Sequence, residues 1–119
     1  MPFKKILQEL VESVPGANGA ILADWEGEAV EQFSLFDEFE MKVIGAHKGI
    51  ILSRLRELHT GLPMGEIEEV MITTEMCRNI IAAIGPDYTL VVTLDRSALP
   101  ALALLEVRKA VDLLKKEIC

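Results

Sequence analysis

The side chains in this sequence that could carry out acid–base chemistry or bind a metal are three clustered glutamates and two separated histidines. Glu66, Glu68 and Glu69 could serve acid–base chemistry, but alternation along a strand places Glu69 on the face opposite the other two. We interpret them as charges that protect a sheet edge. His47 and His59 lack an acidic or thiol partner at metal-ligand spacing. These residues therefore predict neither a catalytic site nor a metal site.

Cysteines and glycines also lack the spacing of a chemical motif. Cys77 lies in a predicted strand and Cys119 is the last residue, so both are predicted to be free thiols. Gly16 and Gly19 follow a predicted helix, whereas a phosphate-binding loop follows a strand and ends in Gly-Lys-Ser/Thr. We therefore expect no nucleotide hydrolysis by the chain itself and no cofactor.

Length and composition indicate one domain with an aliphatic core. The chain has 119 residues, of which 50% are hydrophobic and only 5% aromatic. This length is typical of a single core, and this composition suits helices packed on a sheet. We predict a single domain over residues 1–119.

Charge and hydropathy argue against two classes of partner. The formal net charge is -7, and no segment gathers a basic patch. Such a surface repels phosphate backbones and anionic lipids. The longest apolar runs are shorter than the ~20 residues that span a bilayer. We expect a cytoplasmic protein that binds neither nucleic acid nor membranes.

Helix and turn signals organise the first part of the chain. Apolar residues spaced three and four apart predict a helix over Phe3–Ser13, which Pro15 prevents from continuing. An apolar strand at 20–23, a turn at 24–27 and a return strand at 28–33 predict a hairpin.

The rest of the chain predicts a long helix, three strands and a final helix. The long helix covers Glu38–His59. Segments at 66–74, 77–84 and 88–94, joined by tight turns, predict an antiparallel meander, and an amphipathic helix follows at 99–118. The order is therefore α-β-β-α-β-β-β-α, an α+β fold.

The long helix carries two apolar stripes, whereas a helix on the surface of a monomer needs only one. One stripe comprises Phe36, Phe39, Val43, Ala46 and Ile50. The other comprises Met41, Ile44, Ile51, Leu55 and Leu58, interrupted by Lys48. We expect the second stripe to pack against the same helix of a second copy across a two-fold axis. Packing on the third helix of the same chain is the alternative.

Several local sequences resemble the roadblock/LC7 family over nearly the whole chain. They are VPGA at 14–17 before GAIL at 19–22, the turn at 24–27, the strand at 70–74 and Leu-Val-Val at 90–92. Profilin-like and longin-type domains share a similar layout, but the helix before the hairpin favours the roadblock family. The resemblance implies a five-stranded antiparallel sheet flanked by helices.

The same resemblance implies homo- or heterodimers formed through the third strand and the second helix. It also implies that the protein works together with small GTPases or motor complexes. Some related single-domain proteins act as GTPase-activating proteins. The predicted dimer interface consists of Met41, Ile44, Lys48, Ile51, Leu55, Leu58, Ile67, Val70 and Ile72.

Arginines are the remaining candidates, because an arginine supplied in trans can stabilise the transition state of GTP hydrolysis. Arg54 and Arg56 lie on the long helix, and Arg78 and Arg96 near strand ends. Surface ion pairing is the simpler role for each. We retain Arg54 and Arg56 as candidate partner-binding residues.

The leading hypothesis is that the chain is cytoplasmic, forms a dimer with a second copy or with a paralogue, and has no catalytic site of its own. It binds a Ras-like small GTPase through a composite dimer surface and could stimulate GTP hydrolysis. The alternative is a scaffold or adaptor subunit of a motor or cytoskeletal complex. A small-molecule sensor would require a sizeable apolar cavity, which the tightly filled aliphatic core disfavours.

Overall fold

The computed structural model describes residues 2–118 and has the predicted order of elements. The helices are α1 (Phe3–Ser13), α2 (Glu38–His59) and α3 (Pro100–Ile118), and the strands are β1 (Ala17–Asp24), β2 (Ala29–Ser34), β3 (Glu69–Thr73), β4 (Cys77–Ile84) and β5 (Tyr88–Asp95). Cys77 is a half-buried free thiol, whereas Cys119 lies outside the described residues.

The five strands form one antiparallel sheet in the order β2-β1-β5-β4-β3. Pairing of β1 with β5, in which Ile21 lies opposite Val91, joins the first hairpin to the later meander. The predicted α+β class and five-stranded antiparallel sheet are confirmed. Because β2 and β3 lie at the two ends of this order, each has one unpaired edge.

One face of the sheet is covered by α1 and α3. Leu7 of α1 and both Val107 and Leu114 of α3 are completely buried, together with the strand residues Leu22 and Leu90. These side chains form the larger core cluster. Two helices side by side therefore close this face.

The other face is covered by α2 alone. Met41 and Leu52 are buried there against Ile21, Ile81 and Val91. The helix also approaches the sheet closely at a glycine, since a Cβ added to Gly45 would lie 2.8 Å from Cγ2 of Ile21. The helix lies over β1, β2 and β5 and leaves the β3 side of this face half-exposed.

β1 and β3 differ most in length from the prediction, whereas the bounds of the other strands lie within one residue of it. β1 begins at Ala17 instead of residue 20, because its pairing with β5 also orders Asn18 and Gly19, whose residue types are unfavourable in strands. β3 begins at Glu69 instead of residue 66. Residues 66–68 precede the strand, although the carbonyl of Glu68 still accepts a hydrogen bond from Ala83 N at 2.9 Å.

Candidate functional site

The fully buried side chains of α2 face the sheet. One of them was predicted to lie in the dimer interface. Met41 is 0% exposed and packs against Ile21 within its own chain. The prediction that Met41 contacts a second copy is therefore wrong. A helical period alone could not identify this, because Met41 lies near both the sheet-facing row and the stripe beside it.

Beside that row, half-buried apolar side chains of α2 and β3 pack against one core cluster, and together we call them the helix–edge patch. Ile44 and Ile51 of α2 pack in the same cluster as Val70 and Ile72 of β3, with Ile67 just before the strand. Leu55 and Lys48 are half-buried and Leu58 is 80% exposed. The structure thus brings the α2 and β3 residues of the predicted interface together, with the exception of Met41.

The opposite stripe of α2 does not face the sheet. Phe39, Val43 and Ile50 are 72%, 52% and 57% exposed. Phe36, just before the helix, packs into the cluster under α2. The long helix therefore has apolar side chains on three sides: one faces the sheet, one contributes to the helix–edge patch, and one faces solvent.

The free edge of β3 is only partly guarded by charge. Glu66 and Glu68 precede the strand and are exposed. Glu69 lies on the strand, where its carboxylate accepts hydrogen bonds from Nε of Arg108 on α3 at 3.0 and 3.2 Å. This carboxylate raises the pKa of Arg108, first through the hydrogen bond and then through its charge. Glu69 therefore ties the β3 edge to α3 through Arg108.

The arginines considered in the sequence are all engaged. Arg54 forms an exposed ion pair with Glu57 at 3.4 Å, and Nη2 of Arg56 donates to the carbonyl of Gly85 at 3.2 Å. Arg78 and Arg96 donate to backbone carbonyls around the β3–β4 turn and the start of α3. Arg54 and Arg56 lie on the same stretch of α2, near the β4–β5 turn.

No group of three or more histidine, cysteine or acidic side chains within residues 2–118 is arranged to hold a metal ion. The Nε2 atom of His59 lies 2.8 Å from the carbonyl oxygen of Gly65, consistent with a role in positioning the loop before β3. Of the helices the structure describes, none is long and apolar enough to cross a membrane.

Sequence reasoning missed a groove of about 340 Å³ between the β1–β2 turn, the middle of α2 and the β4–β5 turn. We call it the turn–helix groove. Trp25 and Glu26 line it on the first turn, Gly45 and Gly49 on the helix, and Asp87 on the second turn. The signal that could have indicated it is the pair of glycines one helical turn apart in a long helix, where glycine is unfavourable.

Comparison with protein families supports the architecture. The model of the Roadblock/LC7 domain matches residues 3–94. Sequence comparison with curated proteins finds no match.

Solved structures show the same fold at low sequence identity. A Roadblock/LC7 domain from Streptomyces avermitilis has a TM-score of 0.88 at 18% identity, covering 97% of this chain and 96% of its own. Myxococcus xanthus MglB has a TM-score of 0.89 at 16% identity, covering 99% and 95%. Acanthamoeba castellanii profilin IB has a TM-score of 0.69 at 12% identity, covering 98% and 99%, in agreement with the predicted profilin-like layout.

Proposed function

Because the chain belongs to the Roadblock/LC7 family, we propose that it is a cytoplasmic dimeric regulator that binds a Ras-like small GTPase. The observation that carries the dimer is the helix–edge patch. There Ile44 and Ile51 lie half-exposed beside Val70 and Ile72, next to an unpaired strand edge. Incompletely buried apolar side chains beside an unpaired strand edge are typical of an interaction site.

A second copy fits the patch in two ways. Its β3 could extend the sheet through backbone hydrogen bonds across the free edge, and its α2 could cover the half-exposed side chains. The two contributions lie side by side, so one two-fold axis uses both. Lys48, Leu55 and Leu58 complete the proposed interface, which a paralogue with the same surface would also form.

The GTPase partner is proposed from the family. The sequence resemblance implies service to small GTPases, and α2 carries the solvent-facing side chains that a partner would contact. These are Phe39, Val43 and Ile50, with Arg54 and Arg56 further along the helix. Because Arg54 and Arg56 already have partners, we propose that any stimulation of hydrolysis comes from holding the GTPase's own switch loops in a competent arrangement.

The first experiment is molar mass by light scattering across a hundredfold dilution. A stable mass of two chains supports the dimer, and a monomer at every concentration contradicts it. The second experiment is binding and GTP turnover with Ras-like GTPases from the same genome, using the dimer at concentrations where it is intact. A dimer without any effect on those GTPases, which instead captures motor or cytoskeletal subunits, would favour the adaptor function.

A further inference from the structure

Acidic charge is concentrated in one part of this protein. Between Lys5 and Lys42 the sequence contains nine acidic residues and no lysine or arginine. This segment forms most of α1, all of β1 and β2, and the start of α2. Among the described residues its one ion pair joins Glu31 to Lys4 at 3.9 Å. The β2 side of the molecule therefore attracts basic partners.

The β1–β2 turn of this acidic segment forms one wall of the turn–helix groove. Gly27 of the β1–β2 turn lies against α2, since a Cβ added to it would be 3.7 Å from Cβ of Ala46. The helix–edge patch instead joins α2 to β3, at the other end of the strand order. Dimerisation through that patch would leave the groove accessible in each protomer.

The wall of the groove combines an aromatic ring with carboxylates. Trp25 is 72% exposed at the tip of the turn. The side chains of Glu26 and Asp87 are exposed and form no hydrogen bond or ion pair within residues 2–118. Asp24, by contrast, accepts from the backbone N–H groups of Glu26 and Glu28 and thereby builds the turn. Glu26 and Asp87 are therefore the carboxylates free to bind a ligand.

The floor of the groove contains a glycine that packing does not require. A Cβ on Gly45 would collide with Ile21, which explains that residue. A Cβ on Gly49 would meet nothing within 4 Å, and its backbone is helical. Glycine weakens a helix interior, so Gly49 is costly to the fold and keeps the groove open.

We propose that the turn–helix groove binds a lysine or arginine side chain presented by an exposed segment of a partner protein. Trp25 offers its ring face to the cation, and Glu26 and Asp87 accept charge-assisted hydrogen bonds. Arg54 and Arg56 also line the groove, but Glu57 compensates the charge of Arg54, and the carboxylates of Asp24, Glu26 and Asp87 outweigh the charge of Arg56. This inference goes beyond the proposed GTPase regulation and does not depend on it.

The test uses the fluorescence of Trp25, which is the chain's one tryptophan and so reports on the groove directly. End-blocked tetra-arginine is titrated into the full-length protein, with tetra-glutamate as the matched anionic peptide. We expect a saturable change with tetra-arginine alone. The absence of a saturable change at millimolar tetra-arginine would overturn the proposal.

Two sets of variants separate the groove from overall charge. Glu26→Lys combined with Asp87→Lys should weaken tetra-arginine binding at least about tenfold, the effect of losing one charge-assisted hydrogen bond. Glu12→Lys combined with Glu117→Lys changes the net charge equally at exposed sites on α1 and α3, and should keep wild-type affinity. If both double variants weaken tetra-arginine binding equally, the binding is non-specific charge attraction and the proposal is overturned.

A neutral variant tests the open floor. Gly49→Gln adds a side chain that favours helix and fills the groove without changing the charge. We expect loss of tetra-arginine binding with an unchanged or raised melting temperature. Full retention of binding would contradict the groove. If the wild-type molar mass rises with concentration beyond two chains and Glu26→Lys prevents the rise, the occupant is a second copy and the proposed partner is wrong.

Discussion

The two faces of the sheet are closed to different degrees. On one face α1 and α3 lie side by side, and Leu7, Val107 and Leu114 are completely buried. On the other, α2 lies alone, and Ile51 and Val70 beside it remain half-exposed. A sheet of five strands is wider than one helix of about 10 Å diameter, so a single helix leaves apolar surface uncovered. The closed face supplies stability, and the open face supplies the proposed interface.

The largest effect should follow from a charge placed on the open face. Ile51→Glu and Leu55→Glu are each expected to convert the dimer to monomers, because burying an unpaired carboxylate costs several kcal/mol. Molar mass by light scattering measures this, with circular dichroism to check the fold. Leu105→Glu is the matched control, since Leu105 is 52% exposed on α3, and it should remain dimeric. Dimers in both patch variants would mean that another surface of α2 forms the interface.

A truncation on the closed face should act on folding alone. Leu7→Ala is expected to lower the free energy of unfolding by ~2–5 kcal/mol, because it removes a fully buried side chain and leaves a cavity. Val107→Ala removes fewer atoms and should have a smaller effect in the same direction. Denaturant titration gives the stability, and light scattering should show unchanged association. Dissociation of the folded Leu7→Ala dimer would show that the two faces are coupled.

Two neighbours on α2 should sharpen the comparison within the open face. Met41→Ala is expected to cost about 2–4 kcal/mol of folding stability, because Met41 is buried within its own chain. Ile44→Ala should affect mainly the dissociation constant, because Ile44 is half-exposed in the helix–edge patch. Unfolding and dilution experiments on both variants measure the two quantities. The reverse pattern would restore Met41 to the interface and move Ile44 to the core.

The smallest effects should distinguish the two helical glycines. Gly49→Ala is expected to raise stability by about 0.5–1 kcal/mol, since alanine favours helix and its Cβ would enter open space. Gly45→Ala should lower stability by ~1–3 kcal/mol, because its Cβ would lie 2.8 Å from Cγ2 of Ile21. Thermal and denaturant unfolding test the signs. Stabilisation by Gly45→Ala would mean that α2 can move away from the sheet at little cost.

Local sequence was sufficient for the order of elements. Pro15 and the glycines in the turns mark boundaries by backbone geometry, and regular apolar spacing identifies the helices. The bounds of α1, α2 and β4 agree with the prediction. These features depend on residues close in the chain, so no knowledge of distant contacts was needed.

The assignment of helix faces needed the sheet. Both apolar stripes of α2 satisfy a helical period, and the sequence does not show which one meets the strands. Close approach of Gly45 to Ile21 sets the rotation of the helix, buries Met41 and turns Phe39 and Val43 to solvent. That contact joins residues far apart in sequence, which is why one interface residue was predicted incorrectly.

The sequence by itself determined the class of fold, the family resemblance, the acidic balance and the lack of a catalytic motif, because each of these resides in residue types and short spacings. Tertiary structure alone decided the order of strands, the burial of Met41 and the turn–helix groove. The physical reason is that a surface is formed by whichever side chains packing leaves exposed. Residues 25, 49 and 87 meet only after β1 has paired with β5 and α2 has packed across them.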